Sequence, residues 1–207
     1  MIKNKMQNHY NYYKFIPNNI STNLFYWLSK YLIIHMLLIS HFISIENSEI
    51  RLIIQGEGQL NILNNLFYTN PSEVIVNGIS KPLCNKSCEF ESGLNNVTIK
   101  FNIPVESCAN MFDWRHDIIE IDLSDFDASK VTNMYRMFSD CINVEKIILG
   151  NINTSLVQNM EELFNACRKL TYIDNLNFDV FSVKTMRGMF RSCESLLTIY
   201  AEFNPNE

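Results

Sequence analysis

Histidine is the first scarcity. The 207-residue chain has four, His9, His35, His41 and His116. Three fall in or before an apolar segment near the N-terminus, which leaves the remainder with one. Catalytic triads, histidine metal clusters and most histidine acid–base schemes are thereby set aside. Basic residues are also outnumbered: 17 Lys and Arg against 22 Asp and Glu give a formal charge of −5. Phosphate backbones are gripped by clustered cations, so nucleic acid is excluded as the main partner. Glycine-rich phosphate loops are missing too. Gly56 and Gly58 form a bare G-x-G with no helix signal after it, which does not make a nucleotide site. With 19% charged and 47% hydrophobic residues, the chain is neither a disordered acidic tail nor fully membrane-embedded. No cofactor is expected.

What is present begins with an apolar run, Leu24 to Ile45, LFYWLSKYLIIHMLLISHFISI. Its uninterrupted heart, Tyr31 to Ile45, is shorter than the ~20 residues that span a bilayer comfortably. Lys3, Lys5, Lys14 and Lys30 precede it, and Glu46 and Glu49 follow. That asymmetry favours a cytoplasmic N-terminus and an exported remainder. Two versions compete: a cleaved signal peptide, and an uncleaved signal anchor, which the polar extension 1–23 suggests. A buried helix is the bland alternative. Export is the reading adopted, giving a secreted or cell-surface protein that is membrane-attached if the segment is kept. Sequons at Asn85, Asn96 and Asn153 would then be glycan acceptors.

From Val105 onward the chain repeats itself every 26 residues without a gap. Val105, Val131, Val157 and Val183 share a register. So do Met111–Phe112, Met137–Phe138, Leu163–Phe164 and Met189–Phe190. Cys141, Cys167 and Cys193 form a column in which the first repeat carries Arg115. Ile118, Val144, Leu170 and Leu196 form another, and Ile121, Ile147, Ile173 and Ile199 one more. Met and Phe in these columns are core, not a cofactor box.

Within a repeat, Val131, Met134, Met137, Phe138 and Cys141 have the spacing of one face of a short helix. Ser129, or Ser155 with Gln158 as a capping box, would start it. Ile121 and Leu123 then alternate as in a short strand. The expected fold class is α/β: a leucine-rich-repeat-like solenoid with one short strand and one short helix per rung. A single rung buries too little to stand alone, so the rungs must stack.

The stretches IIEIDLSDFDASKVTNMYRMFSDC (Ile118–Cys141) and FDVFSVKTMRGMFRSC (Phe178–Cys193) resemble BspA-type leucine-rich repeats of bacterial and protist surface proteins. The resemblance covers residues 105–207. It implies a solenoid displayed on a cell surface for adhesion or recognition. Trp114–Arg115 and Asn175–Leu176 depart from the pattern, and the fourth rung stops at Glu207 with its loop incomplete, as in a truncated array.

Residues 49–104 read as a β-rich cap with strands from Ile50, Val74 and Asn96. Gly56–Gly58, Asn77–Gly78 and Gly93 with Asn95–Asn96 punctuate it as turns. Cys84 and Cys88 sit in a polar loop and form the disulfide candidate of an exported chain. They lack the partner ligands of a metal site. Stacked helices lie ~8–10 Å apart, too far for a disulfide, so Cys141, Cys167 and Cys193 are expected as buried thiols.

If the columns face inward, the strand residues between them line a concave face: Glu120, Lys146, Tyr172, Thr198, then Asp122, Ile148, Asp174, Tyr200. These vary from rung to rung and would suit an unidentified protein or glycan partner. Asp122, Asp125 and Asp127 form a DxxDxD cluster that the later rungs do not repeat. It is read as turn chemistry rather than a calcium site. The functional expectation is a non-enzymatic adhesion or recognition protein. The alternatives are a fragment of a longer repeat protein without independent activity, and an enzyme using the cap around Cys84, Cys88 and Glu89.

Overall fold

A computed structural model describes residues 48–174 and 176–196. The polar extension, the apolar segment 24–45, Asn175, Thr198 and Tyr200 lie outside the described residues. Seven strands form one sheet: β1 (Ser48–Asn61), β2 (Glu73–Val76), β3 (Ile79–Ser80), β4 (Ser87–Phe101), β5 (Ile118–Asp122), β6 (Lys146–Ile148) and β7 (Tyr172–Ile173). Their order is β3-β2-β4-β1-β5-β6-β7. Pairing is antiparallel from β3 across to β5 and parallel from β5 to β7.

Alternation decides which face is buried. Ile50, Leu52 and Ile54 of β1, Val97, Ile99 and Phe101 of β4, and Val74 and Val76 of β2 all turn into the core. The expected glycine punctuation holds at Asn77–Gly78, whose φ values of 51° and 79° make the tight hairpin between β2 and β3. It fails at Gly56–Gly58 and Gly93. Both strands run through these glycines, and the register between β1 and β4 slips between Gly56 and Gly58. Gly58 and Gly93, at φ 71° and 113°, absorb a bulge that most side chains would strain.

The repeats lie side by side in register. Glu120 pairs with Lys146 and Lys146 with Tyr172, each 26 residues on. Ser107, Asn133, Asn159 and Thr185 continue the same parallel ladder as single bridges. The expected α/β solenoid with a helix in every rung is corrected here. No described residue is helical, and the protein is a single mixed β-sheet joined to segments of consecutive turns.

The hydrogen bonds give the reason. In the first rung the amides of Met111, Asp113 and Arg115 donate back three residues, to the carbonyls of Cys108, Asn110 and Phe112. The alternate amides, of Cys108, Asn110, Phe112 and Trp114, donate sideways to Asn133, Tyr135, Met137 and Ser139. An α-helix directs every such amide to its own fourth-preceding carbonyl. Two residues per rung also sit in the left-handed region: Asn110 and Trp114, Arg136 and Asp140, Glu162 and Ala166. No α-helix survives that conformation every fourth residue. Ser129, Ser155 and Gln158 are accordingly not helix caps. Ser129 and Ser155 donate their amides to the side chains of Asp127 and Asn153, closing turns.

Sideways bonding brings the rungs to strand spacing. Phe112, Phe138, Phe164 and Phe190 stack with successive centroid separations of 5.9, 5.2 and 5.3 Å and interplanar angles of 10° or less. That is close to the ~4.8 Å between paired strands and far from the ~8–10 Å between helices. Met111, Phe112, Met137, Phe138, Leu163, Phe164, Cys141 and Cys167 are fully buried, Met189 nearly so, and Phe190 and Cys193 partly.

The first rung has no rung before it, and the cap takes that place. The Asn64 amide donates to the Met111 carbonyl (2.9 Å), and its side-chain nitrogen donates to the Asp113 carbonyl (2.8 Å). Ile62, Leu63 and Phe67 are buried beside it, and Phe67 meets Phe101 edge-on at 6.2 Å. Replacing Phe138 with Ala should cost about 3–5 kcal/mol, because both stacking partners and the core lose it. Phe181→Ala, at 80% exposure, should stay within about 0.5 kcal/mol of the parent. Urea unfolding of both variants checks the pair, and equal losses would remove Phe138 from its interior place.

Candidate functional site

The outward side of the sheet is where the varied strand residues gather. Glu120 and Asp122 of β5, Lys146 and Ile148 of β6, Tyr172 of β7 and the following Asp174 lie there, in two cross-strand rows. The cap continues both. One row runs Ile75, Thr98, Arg51, Asp122, Ile148; the other runs Asn96, Ile53, Glu120, Lys146, Tyr172. The sequence reading reached only the repeat half. Arg51, Ile53, Thr98 and Ile75 were missed because the antiparallel register of β1 against β5 breaks the 26-residue rule. The signal for them was the in–out alternation of Ile50 to Gln55.

Charge on this face is largely paired. Lys146 lies 3.8 Å from Glu120, Lys100 lies 3.0 Å from Glu73, and Arg51 reaches Glu49, Asp125 and, at 3.5 Å, Asp122. Such exposed pairs contribute about 0–1 kcal/mol each, so they fix register more than stability. Burial pushes the Asp122 carboxyl up, but the Ser124 hydroxyl and amide and the Arg51 guanidinium outweigh it and hold it below the ordinary value. The Asp174 carboxylate accepts the Leu149 amide. Asp122 therefore shapes a local turn, and Asp174 ties its rung to the one before it. Among the side chains left to meet a partner are Tyr172, which is 52% exposed, and the half-buried Ile148 and Ile53.

Asp125 and Asp127 also have structural duties: Asp125 binds Arg51, and Asp127 closes the turn at Ser129. No group of three potential metal ligands occurs among the described residues. On the turn side, Arg136 ties three rungs together through Asp113 (3.2 Å), Asp140 (3.2 Å) and Glu162 (3.6 Å). Burial raises the Asp113 carboxyl above its ordinary value despite the Arg136 charge.

Cys84 and Cys88 are joined as a disulfide with their Cα atoms 5.1 Å apart. A cleft of about 300 Å³ lies against it, lined by Lys81, Leu83, Gln59 and Glu89. Asn85, Asn96 and Asn153 are exposed. The Asn153 side-chain oxygen accepts the Ser155 amide and hydroxyl. Cys108, Cys141, Cys167 and Cys193 are free thiols. Cys141, Cys167 and Cys193 each donate to the carbonyl of Phe112, Phe138 and Phe164 in the preceding rung, at 3.1, 3.1 and 3.0 Å. No helix among the described residues is long and apolar enough to cross a membrane; the segment 24–45 is not among them.

Burial pushes the Cys193 thiol up to about 11 and the Cys141 and Cys167 thiols further. Only the thiolate is nucleophilic. Iodoacetamide at pH 8 should therefore label Cys193 slowly, and label Cys108, Cys141 and Cys167 only after denaturant is added. Peptide mass spectrometry of native and denatured samples reads the order. Early labelling of Cys141 would contradict the buried ladder.

Comparison with known proteins places the repeats. The family model DUF285, described as a Mycoplasma protein of unknown function, matches residues 105–206. No curated protein and no solved structure matches the chain. The match takes in the four repeats and begins where the cap ends, so the repeat region is similar to that family.

Proposed function

We propose that this chain is an exported, non-enzymatic recognition protein that binds a protein or glycan partner through the outward face of its sheet. One observation carries the reading. From rung to rung the inward positions largely repeat as Val, Met or Leu, Phe and Ile, with Cys from the second rung on, while the outward positions in the same register change. A scaffold that keeps its inside and varies its outside presents a surface for binding. Exposed Tyr172 with Ile148 beside it offers the aromatic and aliphatic anchor such a surface uses. The disulfide removes Cys84 and Cys88 as nucleophiles, which counts against the enzymatic alternative in the cap. It is also at home in an oxidising compartment.

The repeat wording, LSDFDASKVTNMYRMFSDC from Leu123 to Cys141, supports kinship with BspA-type surface proteins. The apolar segment and its flanking lysines support export to the cell surface or beyond, with membrane attachment if the segment is uncleaved.

Two measurements test this. Protease added to intact producing cells should digest a C-terminally tagged protein; a cytosolic, shielded product would end the export reading. Labelled soluble protein carrying Tyr172→Ala and Ile148→Ser should bind a target cell surface about tenfold less than the parent, with an unchanged melting curve. Undiminished binding would move the site elsewhere.

A further inference from the structure

The fourth rung leaves its sideways donors unmet. In each of the first three rungs, alternate amides of the turn segment donate to carbonyls of the next rung. Their equivalents in the fourth, Met186, Gly188, Phe190 and Ser192, have no acceptor among the described residues. Gly188 and Ser192, at φ 68° and 58°, keep the left-handed backbone that aims this row of N–H groups to one side. Such a row is a nest for carbonyl or carboxylate oxygen. The apolar columns open on the same edge. Met186 is 40% exposed where Cys108, Met134 and Met160 are at most 1% exposed, and Val183 and Phe190 are only half-buried. Charge changes here as well. Where the third rung has Gln158, Glu161 and Asn165, the fourth has Lys184, Arg187 and Arg191, all exposed. Cations beside unmet N–H groups make one electropositive edge, which costs stability unless an anion meets it.

We propose that the open edge of the fourth rung docks an acidic peptide segment of another protein, laid alongside it as a further rung. Carbonyls of the segment accept the four amides, its carboxylates meet Arg187 and Arg191, and its apolar side chains cover Met186 and Phe190. The edge itself selects this occupant. A second copy in two-fold contact would set N–H row against N–H row and cation against cation. A copy stacked head to tail is barred, because Asn64 of its cap already bonds the Met111 and Asp113 carbonyls of the first rung. A small inorganic anion would meet the donors and leave the apolar columns in water. The site is separate from the outward sheet face and does not rest on it.

Fluorescence anisotropy of the full chain with labelled peptides of about twelve residues tests the edge. One peptide alternates Glu and Asp with Leu and Phe; its control carries Lys at every acidic position. The acidic peptide should bind saturably in the micromolar range, and the control about tenfold more weakly or worse. Arg187→Ala with Arg191→Ala should reduce binding about tenfold with an unchanged melting curve, since both side chains are exposed. Tyr172→Ala should leave binding intact, and the amide resonances of Gly188 and Phe190 should shift when the peptide is added. No binding, equal binding of the control, or undiminished binding by the double variant would overturn the proposal. Sulfate binding without peptide binding would overturn it in favour of a simple anion site. Self-association abolished by Met186→Glu would overturn it in favour of a second copy.

Discussion

The sideways hydrogen bond between rungs is the constraint on which the repeat region depends. Within each of the first three turn segments, every second amide donates to a carbonyl 25 residues further on, at 2.7–3.0 Å. Three consequences follow from that one habit. The rungs close to strand spacing, so phenylalanines stack ring on ring. The backbone must turn left-handed twice per rung to aim alternate amides outward. The Met, Phe and Cys columns then become continuous, because each inward side chain rests on its equivalent one rung away.

This division of amides also explains how much of the fold was legible in the sequence. Periodicity revealed the 26-residue repeat and its inward columns, and Met137, Phe138 and Cys141 are buried as their spacing implied. Spacing reports which side chains share a face; it does not report where the backbone bonds go. A run of turns and a helix both bring every third or fourth residue to one side, so Val131 to Cys141 read as helix. The left-handed residues that distinguish the two include Arg136, Glu162 and Ala166, whose identities announce nothing of the kind. In the cap, Gly56 and Gly93 read as turns because an isolated sequence cannot separate a bulge from a strand end. The outward face was half legible for a related reason. Parallel neighbours are found by adding 26, whereas the pairing of Arg51 with Asp122 has no periodic signature.

The cap and the repeats are parts of one hydrogen-bonded sheet. β1 is antiparallel to β5, so it supplies a neighbouring strand without being a repeat itself. Asn64 supplies the donors that a preceding rung would otherwise have provided on the turn side. Exposed strand edges invite pairing with other chains, and here the edge of the first rung is occupied on both its strand and turn portions. The same junction sets Trp114 and Arg115 apart from their counterparts.

The cysteine column shows why. Sideways backbone bonds reach the carbonyls of Asn133, Tyr135, Met137 and Ser139, and the Phe138 carbonyl between them receives none. It accepts the Cys141 amide within its own rung at 3.2 Å. Its second lone pair is met by the Cys167 thiol from the next rung at 3.1 Å. Alanine would fill the same buried space without a donor. A thiol gives a weak donor on a side chain that otherwise behaves as a small hydrophobe. Each cysteine therefore serves the rung before it, and the first rung has none. Arg115 occupies that place, and its guanidinium turns to the cap at Asn61. The absence of cysteine there follows from the direction of the bond, and it leaves Trp114 to His116 free of the rule that governs every later rung.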